Sequence, residues 1–313
     1  MSKILCIIDG MSDFDFDVEK YPILASFPER KMVQTVPDGF EAETLPCTLF
    51  LLGISSPPKN IRGWIEALGA GIEIKKSDLI FRTSWVEMDD NGIAIGFRDA
   101  PQNLLLLQNA QYYSLGGYKG LLIIPEQANC ASSTHLIPAF EIFGKNVKNF
   151  VYPDILGLRD AVSRLQEIES NTSLLPWAAS SAVDLPSFPQ KAAVVTGTNV
   201  VKGIAKALHM DLVTSAEMTG DIDTNLNIKV SLTLDLAKEY PFVLLHIGGC
   251  DEASHRMNRW EKETFLKKID TIVLPMLLDS NHMIEVVSDH GSDPETGKHI
   301  GGKQQLFRRA TNK

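Results

Sequence analysis

The chain has 313 residues, of which 44% are hydrophobic and 22% charged, ordinary globular material with room for one large core and a second, smaller unit. Its 30 basic and 39 acidic residues leave a net charge of -9, which argues against a general nucleic-acid binder and against docking on an anionic membrane. A small anionic substrate would then need a local source of positive charge, and bound metal ions can supply it inside an acidic protein.

The first apolar run, residues 4–8, ends at Asp9 and Gly10. It is too short for a signal-peptide core or a membrane span and predicts a buried first strand. Next comes Glu43-Thr44-Leu45-Pro46-Cys47-Thr48-Leu49-Phe50-Leu51-Leu52-Gly53, an apolar helix opened by Thr44 and stopped near Gly53. A hydroxyl at that helix start sits where backbone N–H groups and the helix dipole favour a phosphate, although a plain N-cap explains Thr44 equally well. The pair Pro57-Pro58 marks a change of character. From there to about Asn171 the hairpin signals Asp89-Asp90-Asn91-Gly92 and Gly116-Gly117 predict a mixed α+β cap over residues 57–171, inserted into a core made of 1–56 and 172–313. Beyond residue 190, β-rich runs at 192–195, 242–247 and 283–287 are separated by helix-like segments at 201–209, 231–239 and 261–278. This is the βαβα alternation of a doubly wound α/β sheet. The cysteines Cys6, Cys47, Cys130 and Cys250 are scattered with no CxxC pair, so no thiolate zinc site or disulfide scaffold is expected and a reducing, cytoplasmic setting fits.

Ligand sites of open α/β sheets lie beyond the carboxyl ends of the strands. Polar residues gather there in the sequence: Asp9 after the first strand, Asp251 and His255 after the run 242–247, Asp289 and His290 after 283–287, then His299. Each alone reads as a turn former or N-cap. Together, three carboxylates and three imidazoles make a mixed oxygen and nitrogen set that suits Mn2+ or Zn2+ better than Ca2+. Asp251 and His255, four apart, share one side of a helical turn. A pair of divalent ions stabilises in-line displacement at phosphorus and activates a hydroxyl as nucleophile, which gives Thr44 a role.

These residues resemble the archaeal-type 2,3-bisphosphoglycerate-independent phosphoglycerate mutase family of the alkaline phosphatase superfamily. The likeness runs through Ile7-Ile8-Asp9-Gly10-Met11-Ser12-Asp13, through Arg62-Gly63-Trp64-Ile65-Glu66-Ala67-Leu68-Gly69-Ala70-Gly71-Ile72 and Phe81-Arg82, and through Leu185-Pro186-Ser187-Phe188, Val201-Lys202-Gly203-Ile204 and Thr219-Gly220-Asp221-Ile222-Asp223-Thr224-Asn225. Its strongest pieces are His246-Ile247-Gly248-Gly249-Cys250-Asp251-Glu252-Ala253-Ser254-His255 and Ser288-Asp289-His290 with His299. The resemblance implies an alkaline-phosphatase-like core with two divalent metal ions. Asp251, His255 and His299 would hold one; Asp9, Asp289, His290 and the nucleophile Thr44 would hold the other. It also implies that Lys202 lies near the transferring phosphate and that Arg62 and Arg82 meet substrate charge, against the plainer reading of both arginines as structural cations.

The activity implied is conversion of 3-phosphoglycerate to 2-phosphoglycerate through a phosphothreonine, with a small phosphorylated metabolite as partner and a homo-oligomer left open. Several departures keep other readings in view. The family's nucleophile run Ser-Asp-Thr-Ala-His is here Thr44-Leu45-Pro46-Cys47-Thr48, and its cap motif Asp-x-Asp-Pro-His is missing from the run Asn129 to His135. Arg256-Met257-Asn258 replaces Glu-Gly-Asp, and Ile300-Gly301-Gly302-Lys303 follows His299 in place of a run containing Asp-Pro-Val-Pro. The alternatives are a phosphatase, phosphodiesterase or phosphotransferase of the same superfamily acting on another small metabolite, or a non-catalytic protein that binds metal or a phosphorylated ligand.

Overall fold

The structure, a computed structural model, describes residues 2–101, 109–134, 136–150, 152–166 and 171–310. The chain divides into two compact units, Met1–Pro57 with Leu185–Lys313, and Pro58–Asp184.

The first unit is built on a seven-stranded sheet in the order Glu29–Gln34, Lys303–Arg309, Met283–Val287, Lys3–Ile8, Phe242–Ile247, Ala192–Val195, Asp211–Val213. The last five of these strands run parallel; Lys303–Arg309 and Glu29–Gln34 close one side antiparallel. The central strands are almost wholly buried, which is why they read as mainly apolar runs, broken only by His246 and Glu285, instead of alternating ones. Ile4, Ile8, Val243, Leu245, Ile284 and Val286 belong to one core cluster with Phe265, Ile269 and Leu277 from the last helical segment.

The helix expected over 201–209 is Asn199–Ala207, and the one over 231–239 begins earlier, at Leu226, because Asn225 caps it by accepting from the Ile228 N–H. The segment expected as one helix over 261–278 is Arg259–Lys268, a π-helical turn Ile269–Val273, and Leu274–Asp279. Pro275 has no N–H to donate into the preceding turn, so the ladder widens just before it.

The second unit carries an antiparallel sheet in the order Ala94–Phe97, Leu79–Met88, Lys119–Ile124, Gln111–Gly116, with Thr172–Ser180 paired along Leu79–Met88. The turns at Asp89 to Gly92 and at Gly116 and Gly117 have glycines at φ +76, +92 and +55, the left-handed backbone that hairpins require. The expected exit from this segment, residue 171, is corrected by the strand Thr172–Ser180. At Ser180, nine residues past 171, the chain is still paired to the second unit's own sheet, and the boundary falls after Asp184. His135, the end of the run in place of the family cap motif, lies outside the described residues. All four cysteines are free thiols. Among the described residues, no helix is long and apolar enough to cross a membrane.

Candidate metal centre

Strand register explains why distant residues meet. Ile7 pairs with His246 on one side and with Val287 on the other, and paired residues point to the same face of a sheet. Residues two further along return to that face, so Asp9 and Asp289 project where His246 does. The Asp9 N–H extends the ladder by donating to Ile247 O at 3.0 Å.

The side chains form a continuous cluster. Asp9 Oδ1 lies 3.4 Å from His290 Nε2, and His290 Nε2 lies 3.7 Å from Asp289 Oδ2. Thr44 Oγ1 donates to Asp9 Oδ2 at 3.3 Å. Thr44 is the first residue of helix Thr44–Leu51, after Glu43 in the cap position, so its hydroxyl faces the cluster instead of capping its own helix. On the outer side, Asp251 Oδ2 is 3.1 Å from His255 Nε2 and Asp251 Oδ1 is 3.4 Å from His299 Nε2, with 3.1 Å between the two imidazole nitrogens. Helix Gly249–His255 supplies the four-residue spacing. The short strand His299–Ile300 brings in His299 by pairing with Gly291–Ser292, and Ser292 Oγ donates to Asp251.

The imidazoles are fixed from behind. His255 Nδ1 meets Gly297 O at 2.9 Å, His299 Nδ1 meets Ala42 O at 2.6 Å, and His290 Nδ1 meets Gly291 O at 3.1 Å. Each carbonyl accepts from an Nδ1–H, which turns Nε2 into the cluster, the orientation of histidines that ligate metal. In the interior, Asp9 Oδ1, Asp289 Oδ2, His290 Nε2 and both nitrogens of His246 are buried without a hydrogen-bond partner among the described residues. Buried polar atoms are almost always satisfied, so this group of orphans fits divalent cations. Two donor sets stand out, Asp251 with His290 and His299, and Asp9 with His246 and Asp289.

The electrostatics agree. Burial, then the neighbouring Asp289 and Asp251, push the Asp9 carboxyl well above its usual range. Burial works in the same direction on Asp251, yet hydrogen bonds from His255 and His299 hold it well below. Burial opposes the His255 charge, but Asp251 raises its pKa to about 9, and His299 is raised by the same carboxylate against the same burial. His246 is fully buried, and burial lowers its pKa to about 4, so it is a neutral imidazole.

The sequence pattern assigned no role to His246, although a histidine inside Phe-Val-Leu-Leu-His-Ile was itself a signal. It also passed over Lys262, whose buried ammonium reaches Asp13 Oδ2 at 3.0 Å, Ser12 O at 3.1 Å and Ser292 O at 2.6 Å, tying the loop after Asp9 to the residue that supports Asp251. Lys202 lies on helix Asn199–Ala207, outside the carboxylate and imidazole cluster; burial, then Lys206, lowers its pKa. Arg62 and Arg82 belong to the second unit and meet on one carboxylate: Arg62 Nε is 3.0 Å from Glu66 Oε1, Arg82 Nε is 2.7 Å from Glu66 Oε2, and both guanidinium groups lie over Trp177. Arg82 is buried and also donates to the carbonyls of Thr83 and Gly120.

Comparison with known proteins places this cluster. Residues 31–103 match the family model of 2,3-bisphosphoglycerate-independent phosphoglycerate mutase, and residues 153–303 match that of the metalloenzyme superfamily. Over both stretches the chain is similar to 2,3-bisphosphoglycerate-independent phosphoglycerate mutases and their metalloenzyme superfamily. Among curated members, the enzyme of Methanococcus aeolicus is 28% identical over 76% of this chain and 68% of its own length. That of Methanosphaera stadtmanae is 23% identical over 99% and 89%. Among solved structures, the PH0037 protein of Pyrococcus horikoshii matches with a TM-score of 0.74 at 20% identity, over 99% of this chain and 87% of that one. The cofactor-independent phosphoglycerate mutase of Thermoplasma acidophilum matches with 0.55 at 19%, over 99% and 90%. The fold is thus the α/β fold of those structures, and the chain is an enzyme of the phosphoglycerate mutase type with a match to a metalloenzyme superfamily.

Proposed function

We propose that this protein interconverts 3-phosphoglycerate and 2-phosphoglycerate through a phosphothreonine on Thr44. The observation that supports it best is the Thr44 hydroxyl at 3.3 Å from Asp9 Oδ2, beside buried carboxylate and imidazole atoms that have no hydrogen-bond partner among the described residues. Two divalent ions held there, Mn2+ or Zn2+, would offset the clustered negative charge and ease deprotonation of the hydroxyl. On the family pattern Asp251, His255 and His299 hold one ion, and Asp9, Thr44, Asp289 and His290 hold the other. Asp9 orients the Thr44 oxygen for in-line attack on phosphorus; the bond from phosphorus to the departing glycerate oxygen breaks as the bond to Thr44 forms. The retained glycerate then presents its other hydroxyl, takes the phosphoryl group, and restores Thr44. Residues 58–184 are the proposed cap, with Arg62, whose side chain is 30% exposed, and Arg82 as readers of substrate charge and Lys202 near the phosphoryl group.

A second reading is a phosphohydrolase of the same superfamily, with water as the acceptor. It is favoured by Leu45 and Thr48, which stand where the family has Asp and His; both are buried, and Thr48 Oγ1 has no partner.

One assay tests both. The protein, loaded with Mn2+ or Zn2+, is given 3-phosphoglycerate while 2-phosphoglycerate and free phosphate are followed together, and the protein is quenched for phosphopeptide mass spectrometry. The mutase reading expects 2-phosphoglycerate without phosphate and a phosphate on the Thr44 peptide. Phosphate release alone selects the hydrolase. Thr44→Ala should lose about 10³-fold or more in rate, while Thr44→Ser keeps the nucleophile; equal activity in wild type and Thr44→Ala would refute the assignment of the nucleophile.

A further inference from the structure

The geometry points to His246 as an additional metal ligand, giving the ion beside Asp9 and Asp289 a second imidazole that the family pattern does not assign. This rests on the reading above that the cluster holds divalent ions.

His246 Nε2 lies 3.4 Å from Asp9 Oδ2, too long for a charge-assisted hydrogen bond, which would close to roughly 2.7–2.9 Å, and the nitrogen has no hydrogen-bond partner. Two donors on one tetrahedral ion at bond lengths of about 2.0–2.1 Å are separated by an edge of roughly 3.3–3.4 Å. The pairs Asp9 with His290 and Asp251 with His299 are also 3.4 Å apart, so His246 stands at the spacing of the residues already assigned. One donor atom each from Asp9, His246 and Asp289 lies within 4.8 Å of the others.

The position is built in. Register with Ile7 turns His246 to the face that Asp9 and Asp289 share, and the ring is fully buried. An imidazole there without a partner loses its hydration with nothing in return. The backbone is also held in place: the fully buried Lys229 donates from Nζ to His246 O at 3.3 Å and to Thr219 O at 3.0 Å. A second nitrogen donor makes this site softer and more selective for Zn2+, Co2+ or Mn2+ over Mg2+, which prefers oxygen ligands and keeps its water.

The test uses the whole chain loaded with 113Cd2+ and labelled with 15N-histidine. Metal-coupled imidazoles are counted by NMR on the wild-type protein, so no variant has to fold. The inference expects four coupled rings, His246, His255, His290 and His299; three, with His246 uncoupled, overturns it. Binding of no cadmium at all would instead overturn the parent reading of a metal centre. As a second arm, His246→Asn is titrated with Co2+. A drop of about 10–100-fold in affinity at one of two sites, the range for losing a metal-supporting group, together with an altered visible spectrum, is expected. Two sites of wild-type affinity and spectrum refute it.

Discussion

Replacing Gly10 by alanine tests the packing on which the whole centre depends. Gly10 has φ +65, and a Cβ there would lie 2.7 Å from Ser292 Oγ, 2.8 Å from Asp251 Cα and 2.9 Å from Asp251 Cβ. The hydroxyl can swing away, but the two Asp251 atoms are set by helix Gly249–His255 and cannot. The left-handed backbone costs an alanine roughly 1–2 kcal/mol, and relieving an overpacked contact costs about 1–3 kcal/mol. Their sum, about 2–5 kcal/mol, corresponds to a fall in Tm of about 4–20 °C for a unit of this size. Because relief must move Asp251, metal affinity should fall with stability, by about 10-fold or more. Gly53→Ala is the control: φ is +96 but nothing lies within 4 Å of its Cβ, so only the backbone term, about 1–2 kcal/mol, applies. Scanning calorimetry in chelator and isothermal titration with Mn2+ read both quantities. If Gly10→Ala melts with Gly53→Ala and binds metal like wild type, the close approach of the first strand's end to Asp251 is refuted.

Adding Mn2+ or Zn2+ at about 100 times the dissociation constant should stabilise the protein by about 2.7 kcal/mol per site, reversed by EDTA; a Tm indifferent to both would oppose a resident metal. In metal-free protein the raised pKa of His255, about 9 against 6.5, gives stability fully present below pH 6.5 and lost as pH rises through about 9. Since a metal needs the neutral ring, affinity should rise over that interval; calorimetry and metal titrations from pH 6 to 9 check the two opposite slopes, and flat profiles would contradict the Asp251–His255 pairing. Lys262→Met removes the nearer cation from the Asp13 carboxylate, 8% exposed, and leaves it only Arg259 at 3.8 Å; it should cost at most about 3–5 kcal/mol in urea unfolding. Adding Asp13→Asn should recover part of that loss, and a double variant no more stable than the single one would show the pair is not the cause.

Much of the candidate metal centre was legible in the sequence because the side chains proposed as its ligands follow apolar runs. A buried parallel strand is mainly apolar, so the aspartates that follow the runs 4–8 and 283–287, Asp9 and Asp289, mark where those strands stop. The spacing of Asp251 and His255 likewise fixes one side of a helical turn without any tertiary information. Thr44 was harder: composition allowed both a cap and a nucleophile, and only the position of Asp9 across the cluster turned its hydroxyl away from its own helix.

The tertiary structure decided what depends on pairing between strands far apart in sequence. The residue beside Ile7 is set by register, and a shift of one position would have turned His246 to the opposite face. The carbonyls behind His255, His290 and His299 come from loops whose course no local pattern specifies. The same holds for Thr172–Ser180, whose place in the second unit is fixed by its long pairing with Leu79–Met88, while its composition fits either unit. Local chemistry thus named the donors and where each strand stops; long-range hydrogen bonding determined which donors face one another, because register is a property of two strands and neither encodes it alone.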